Sequence, residues 1–194
     1  TSGPDIHITN AVAFSATGTG GITLQANRDI ITGGAITTSG GAVLFDSNYA
    51  DASSGYVQVN ANVTTGGGAL TIGGGSAAIT AGSGYAWDNG DANSVFCGVF
   101  INDGVTVSTG AGNVIINGRG QTVSANNYSD GVEIGNLLTT AKLQTTTGSI
   151  TVNGIGGGGT NGTYGSIGVS AIGTVTSTSG AITLTGTGGG NVAN

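Results

Sequence analysis

The chain has 194 residues, 41 of them glycine, with one proline, one cysteine, no methionine, and three Lys and Arg against nine Asp and Glu for a net charge of -6. Nucleic-acid affinity rests on clustered Lys and Arg, and Arg28, Arg119 and Lys142 are too few and too dispersed for a phosphate-binding surface. No stretch approaches the roughly 18 consecutive apolar residues that cross a bilayer, and the opening Thr-Ser-Gly-Pro-Asp lacks the basic and apolar regions of a signal peptide, so a mature or excised piece is expected.

Apolar residues alternating with period two mark strands. In chain order they come as Ile6/Ile8, Val12/Phe14 and Ile22/Leu24, then Ile30, Ile36 and Val43/Phe45, then Val57/Val59, Val63 and Leu70/Ile72. Val99/Ile101, Val105/Val107 and Val114/Ile116 follow, then Val132/Ile134, Leu143 and Ile150/Val152, and last Val169/Ala171, Val175 and Ile182/Leu184. These are six copies of one three-run unit, because the order of runs never changes. The spacing does change, from 21 residues between Ile22 and Val43 to 44 between Leu70 and Val114.

That variation collects after the third run. The link is short at 25–29 and long at 73–98, 117–130 and 153–167. Insertions at one position of every repeat fall on one edge of a stacked structure, as in a solenoid. The ordered β-branched pattern and the scarcity of charge argue against disorder despite the glycine. A single repeating domain over 1–194 is therefore predicted.

The second and third runs are joined by similar corners, among them Thr37-Thr38-Ser39-Gly40-Gly41 and Thr64-Thr65-Gly66-Gly67-Gly68. Like residues at like positions in successive coils stack into ladders. The expectation is Ile, Val and Leu inside, Thr outside, and Gly where the backbone turns through positive φ. Parallel connections are overwhelmingly right-handed. The predicted fold is an all-β, right-handed parallel β-helix of three strands per coil and six coils, a rod on the order of 29 Å long at about 4.8 Å per coil. The twelve third-run residues from Ile22 to Leu184 should make one interior wall. Phe100, between inward Val99 and Ile101, should point outward beneath the 73–98 loop, covered by Tyr85, Trp87 or Phe96.

The wording ANRDIITGGAITTSGGAVLF, VNANVTTGGGALTI, STGAGNVIINGRG and TSTSGAITLTGTGGG resembles the repeat regions of filamentous-haemagglutinin-type adhesins, large secreted exoproteins of Gram-negative bacteria exported by the two-partner route. The likeness runs over nearly the whole chain, weakest at 73–96, and is a style of repeat rather than a site motif. It implies an extracellular, cell-surface shaft or fibre segment, self-associating end to end or continuing into flanking repeats. The capped secretion domain of such proteins is not recognisable here.

Candidate sites lie on the loop edge. Tyr49, Tyr56, Tyr85, Tyr128 and Tyr164 all fall in or beside it, with Trp87 next to Tyr85. Tyr85, Trp87, Tyr128 and Tyr164 are the candidates for stacking on cell-surface glycans or binding a surface protein; the alternative is that the rings shield the glycine-rich loops. Asp46, Asp51, Asp88, Asp91 and Asp130 share that edge, and Asp88-Asn89-Gly90-Asp91 is oxygen-rich enough to hold calcium through Asp88 and Asp91, although it reads equally as a turn. Otherwise no cofactor is expected. Glu133 has only Asp103 and Asp130 as candidate carboxylate neighbours, and no catalytic set assembles, so an enzyme is not predicted. Cys97 reads as a buried small hydrophobe, and His7, between Ile6 and Ile8, as an outward residue. The Thr-x-Thr pattern of an ice-binding face occurs at 174–176 and 183–185 but is not sustained at 57–59 or 114–116, and the three Asn-x-Ser/Thr sequons carry little weight in so Asn- and Thr-rich a chain.

Overall fold

The computed structural model describes residues 5–10, 12–14 by backbone alone, 20–50, 54–88, 96–121, 129–138, 140–158 and 166–190. Among them there is no helix. The strands are β1 (Ile6–Ile8), β2 (Val12–Phe14), β3 (Ile22–Gln25), β4 (Ile30–Thr32), β5 (Ile36–Thr38), β6 (Val43–Ser47), β7 (Val57–Val59), β8 (Val63–Thr64), β9 (Leu70–Gly74), β10 (Ala86–Trp87), β11 (Cys97–Ile101), β12 (Thr106–Ser108), β13 (Val114–Arg119), β14 (Asp130–Ile134), β15 (Lys142–Thr145), β16 (Ile150–Ile155), β17 (Val169–Ala171), β18 (Thr174–Ser177) and β19 (Ile182–Thr187).

First, second and third runs each build their own sheet. The orders are β1-β4-β7-β11-β14-β17, β2-β5-β8-β12-β15-β18 and β3-β6-β9-β13-β16-β19, with β10 added beside β13. Every ladder is parallel and in register with the sequence repeat. Leu70 pairs with Val114, Val114 with Ile150 and Ile150 with Ile182. Three parallel sheets fed by one recurring unit are the arrangement of a β-solenoid. The 73–98 segment, read from the sequence as a loop, contains a strand of its own: Ala86–Trp87 pairs with Gly118 and Arg119.

The interior wall forms as expected from Val43 through Val152, while at its first pair Ile22 is buried and Leu24 only partly so. Val43, Phe45, Leu70, Ile72, Val114, Ile116, Ile150 and Val152 are at most 1 % exposed. It does not extend through the last pair, because Ile182 is 42 % and Leu184 45 % exposed. Both keep their register, opposite Ile150 and Val152. Among the described residues their side chains have a covered neighbour on one side only, which is why they remain open.

The corner threonines also depart from expectation. Thr38, Thr65, Thr109 and Thr145 are buried, not outside. The Oγ1 of each donates to the carbonyl of the glycine three residues on, at 2.6 Å for Thr38 to Gly41, Thr109 to Gly112 and Thr145 to Gly148, and likewise from Thr65 to Gly68. A chain that turns a corner between two sheets breaks its ladder and leaves a carbonyl without a strand partner; the threonine satisfies it. The accepting glycines Gly41, Gly68, Gly112 and Gly148 do not need positive φ. A Cβ on any of them would collide with the carbonyl of the corner glycine in the preceding repeat. Close approach, rather than turn conformation, requires glycine there. Positive φ belongs to neighbouring Gly40, Gly66 and Gly110.

Phe100 lies opposite Gln58 and Glu133 on the outer face of its sheet, and at 7 % exposure it is covered. Part of the segment expected to cover it, 89–95, lies outside the described residues.

Candidate functional site

The third-run strands overrun the wall and carry the chain to the loop edge. β13 continues through Asn117 and Arg119, and parity places both on the outer side with Ile115. Asn117 is completely buried because an excursion over 75–84 folds onto it. Its Nδ2 donates to Thr80 O at 2.6 Å and Ser83 O at 2.7 Å, closing a turn in which Thr80 and Ser83 also exchange backbone bonds. Asn153 Nδ2 in turn donates to Asn117 Oδ1 at 2.8 Å. The excursion is therefore pinned by an asparagine ladder on the outer face of the sheet.

Leaving that turn, the chain enters β10 and sets Trp87 beside Arg119. Trp87 is held from both sides, by the β13 ladder and by reciprocal 2.8 Å backbone bonds with Gly55. The Arg119 guanidinium carbon lies 4.8 Å from the centroid of the indole ring, a cation–π stack. No carboxylate pairs with Arg119 among the described residues. Arg28, by contrast, is bidentate to Asp5 at 2.8 and 2.9 Å. The indole Nε1–H of Trp87 is buried with no hydrogen-bond partner. A buried unmet donor costs about 1–3 kcal/mol, and one retained in a fold calls for an explanation. Tyr85, Trp87, Arg119, Ser76 and Ile155 line a groove of about 360 Å³.

A second cleft of about 420 Å³ shares residues 75–77 with the first as a common wall. Tyr49 (48 % exposed), Gln25, Leu44, Asp46 and Thr71 line it. Gln25 Nε2 donates to Asp46 Oδ2 at 3.1 Å, while Asp46 Oδ1 is buried without a partner. Burial raises the Asp46 carboxyl above its ordinary 3.8, and the Gln25 bond offsets this only in part.

Two of the four aromatic candidates, Tyr85 and Trp87, thus meet in one groove; Tyr128 and Tyr164 lie outside the described residues. Tyr56 is fully buried and acts as packing. For calcium, Asp91 lies outside the described residues and Asp88 is turned inward at 1 % exposure, its Oδ2 accepting from Ser129 Oγ at 3.1 Å. Among the described residues no three His, Cys, Asp or Glu gather in a metal-binding group.

The carboxylates around Glu133 are each tied to a structural partner. Cys97 Sγ donates to Glu133 Oε2 at 2.9 Å. Burial pushes Glu133 above its ordinary 4.5, the Cys97 bond draws it down, and the nearby Asp130 and Asp103 charges raise it further. Asp130 Oδ1 accepts from Ile167 N at 2.7 Å, and Asp103 accepts from the backbone N–H groups of Asn136, Leu137 and Leu138 at 3.1–3.3 Å. Cys97 is buried and in no disulfide, and burial first, then the Glu133 charge, drives its thiol well above the ordinary value. His7 is exposed, 3.9 Å from Asp5 Oδ2.

Asp46 was placed on the loop edge by the sequence, but Arg119 and Gln25 were not legible as site residues, nor was the pairing of Asp46 with Gln25. Strand parity puts Arg119 outside, but nothing in the one-dimensional pattern brings it under Trp87, 32 residues earlier. Comparison of the chain with protein-family models, with curated proteins and with solved structures gave no match.

Proposed function

We propose that this chain is a non-catalytic, extracellular structural segment: a right-handed solenoid of six coils serving as shaft or fibre segment of a secreted bacterial adhesin, stacked end to end on flanking repeats or on a second copy. One observation supports this above others. Ile182 and Leu184 occupy wall positions whose counterparts Ile150 and Val152 are fully buried, yet they are 42 % and 45 % exposed. Val169 and Val175 in the other two sheets are likewise only partly buried, and β17, β18 and β19 stand at the end of their sheets. Among the described residues no strand pairs beyond these three, and an apolar face framed by three such parallel edges has the shape and chemistry of the next coil of the same kind. Covering each such side chain contributes up to about 1.5–3 kcal/mol.

Negative-stain imaging and sedimentation of the isolated chain test this. Concentration-dependent rods, abolished by a charged, proline-bearing cap appended after Asn194, are the expected outcome. A monomer at high concentration, together with no flanking repeats in the full gene product, overturns it.

A second reading is a surface-binding module that uses the loop edge to hold glycans or a cell-surface protein. The Tyr85–Trp87–Arg119 groove favours it, since a stacked guanidinium beside aromatic rings has no task in closing the solenoid. The two readings are compatible in one shaft.

A further inference from the structure

We propose that the paired clefts on either side of residues 75–77 bind an oligosaccharide carrying a carboxylate, with the acidic sugar against Arg119 and Trp87 and a neutral sugar against Tyr49 and Asp46. This rests on the surface-binding reading and names the ligand class for it.

The first cleft offers donors without acceptors. Arg119 has no carboxylate partner among the described residues, and its guanidinium carbon sits 4.8 Å from the Trp87 ring centroid at the groove, with no side-chain hydrogen bond among those residues to occupy its N–H groups. The Trp87 ring itself lines the groove, although its Nε1–H is turned into the protein. A planar fork of N–H donors matches a carboxylate bidentately. In a chain of net charge -6, this is a localised reversal of sign at a groove.

The second cleft has the opposite excess. Asp46 is 7 % exposed and brings a negative charge to the cleft wall, its Oδ1 buried without a partner and its Oδ2 bonded to Gln25, and the half-exposed Tyr49 ring stands in the same lining. Sugar hydroxyls supply donors, and the apolar face of a pyranose supplies a surface for an aromatic ring. The Asp46 carboxylate repels further negative charge, which disfavours an acidic peptide or a polyuronate bearing a carboxylate on every unit. One acidic residue linked to neutral ones fits both clefts.

Trp87 is the only tryptophan, so its fluorescence reports directly on the groove. The full chain is titrated with sialyllactose and with glucuronyl-xylobiose, each beside its carboxyl methyl ester, and with tetraglutamate. The expected result is a saturable emission change with at least one free acid, weakened at least ~10-fold by esterification and by Arg119→Gln, as loss of a charge-assisted hydrogen bond requires. Arg119→Lys retains part of the binding, and the unfolding midpoint of Arg119→Gln shows that the fold persists. Equal binding of acid and ester overturns the acidic assignment while leaving a glycan-binding edge intact. Tetraglutamate binding as tightly as the acidic sugars overturns the saccharide class. No saturable change with any sugar, confirmed by the absence of calorimetric heat, removes both the inference and the glycan form of the surface-binding reading.

Discussion

Ile150 and Ile182 are the same residue at the same position of adjacent repeats, in direct register, and they differ in exposure, 0 % against 42 %. Ile150→Asp removes about 1.5–3 kcal/mol of apolar burial and forces a carboxyl into a site where an ion costs several kcal/mol even after relaxation. The sum, at least ~5 kcal/mol, equals or exceeds the low end of the 5–15 kcal/mol that hold an ordinary domain together. Ile182→Asp removes about half the burial, on the order of 1 kcal/mol, and leaves the charge in water. With a urea dependence of about 1–3 kcal/mol per molar, a ~4 kcal/mol difference separates the two midpoints by ~2 M. Far-UV circular dichroism and Trp87 emission follow the same transition, since β10 is paired to β13 and β13 to β16. The measurement is made at two concentrations about tenfold apart, so that any end-to-end contribution shows as a concentration dependence of the midpoint. Equal destabilisation by the two substitutions would refute the claim that the last coil's wall residues are open.

The same substitution should act with opposite sign at two threonines. Thr32 Oγ1 is buried without a partner opposite Val59, so Thr32→Val is expected to raise the thermal midpoint, by about 1 kcal/mol or more of stability, whereas Thr109→Val removes the buried 2.6 Å bond to Gly112 and costs about 1–3 kcal/mol. Because burial raises Asp46, Asp130 and Glu133, the folded chain retains protons that the unfolded chain has released, and stability falls as pH rises from their ordinary 3.8–4.5 through the folded values. Glu133→Gln is expected to flatten that decline in unfolding midpoints measured across the acidic range. Cys97, buried with a raised thiol, should resist iodoacetamide in the folded chain and react fully in denaturant; rapid labelling without denaturant would place it at the surface.

By itself the sequence determined the periodicity, the inward residues of each run and the assignment of runs to sheets. These follow from local alternation, and a slip of one residue would turn every Val, Ile and Leu outward. It also located the insertions on one edge. The sequence could not separate two uses of glycine. Gly40 bends through positive φ, whereas its neighbour Gly41 is required because the carbonyl of Gly20, in the preceding repeat, lies where a Cβ would stand. Nor could it show that Thr109 turns inward to a carbonyl of its own corner, since a threonine beside glycines reads as surface until the broken ladder around it is seen. The site depended most on tertiary structure. Trp87 and Arg119 come together because the excursion over 75–84 is pinned by Asn117 and returns the chain to the β13 edge, and Asp46 faces that same excursion across the second cleft. Repeats specify a stacked wall locally, whereas contacts between one repeat's insertion and another repeat's strand have no period to read.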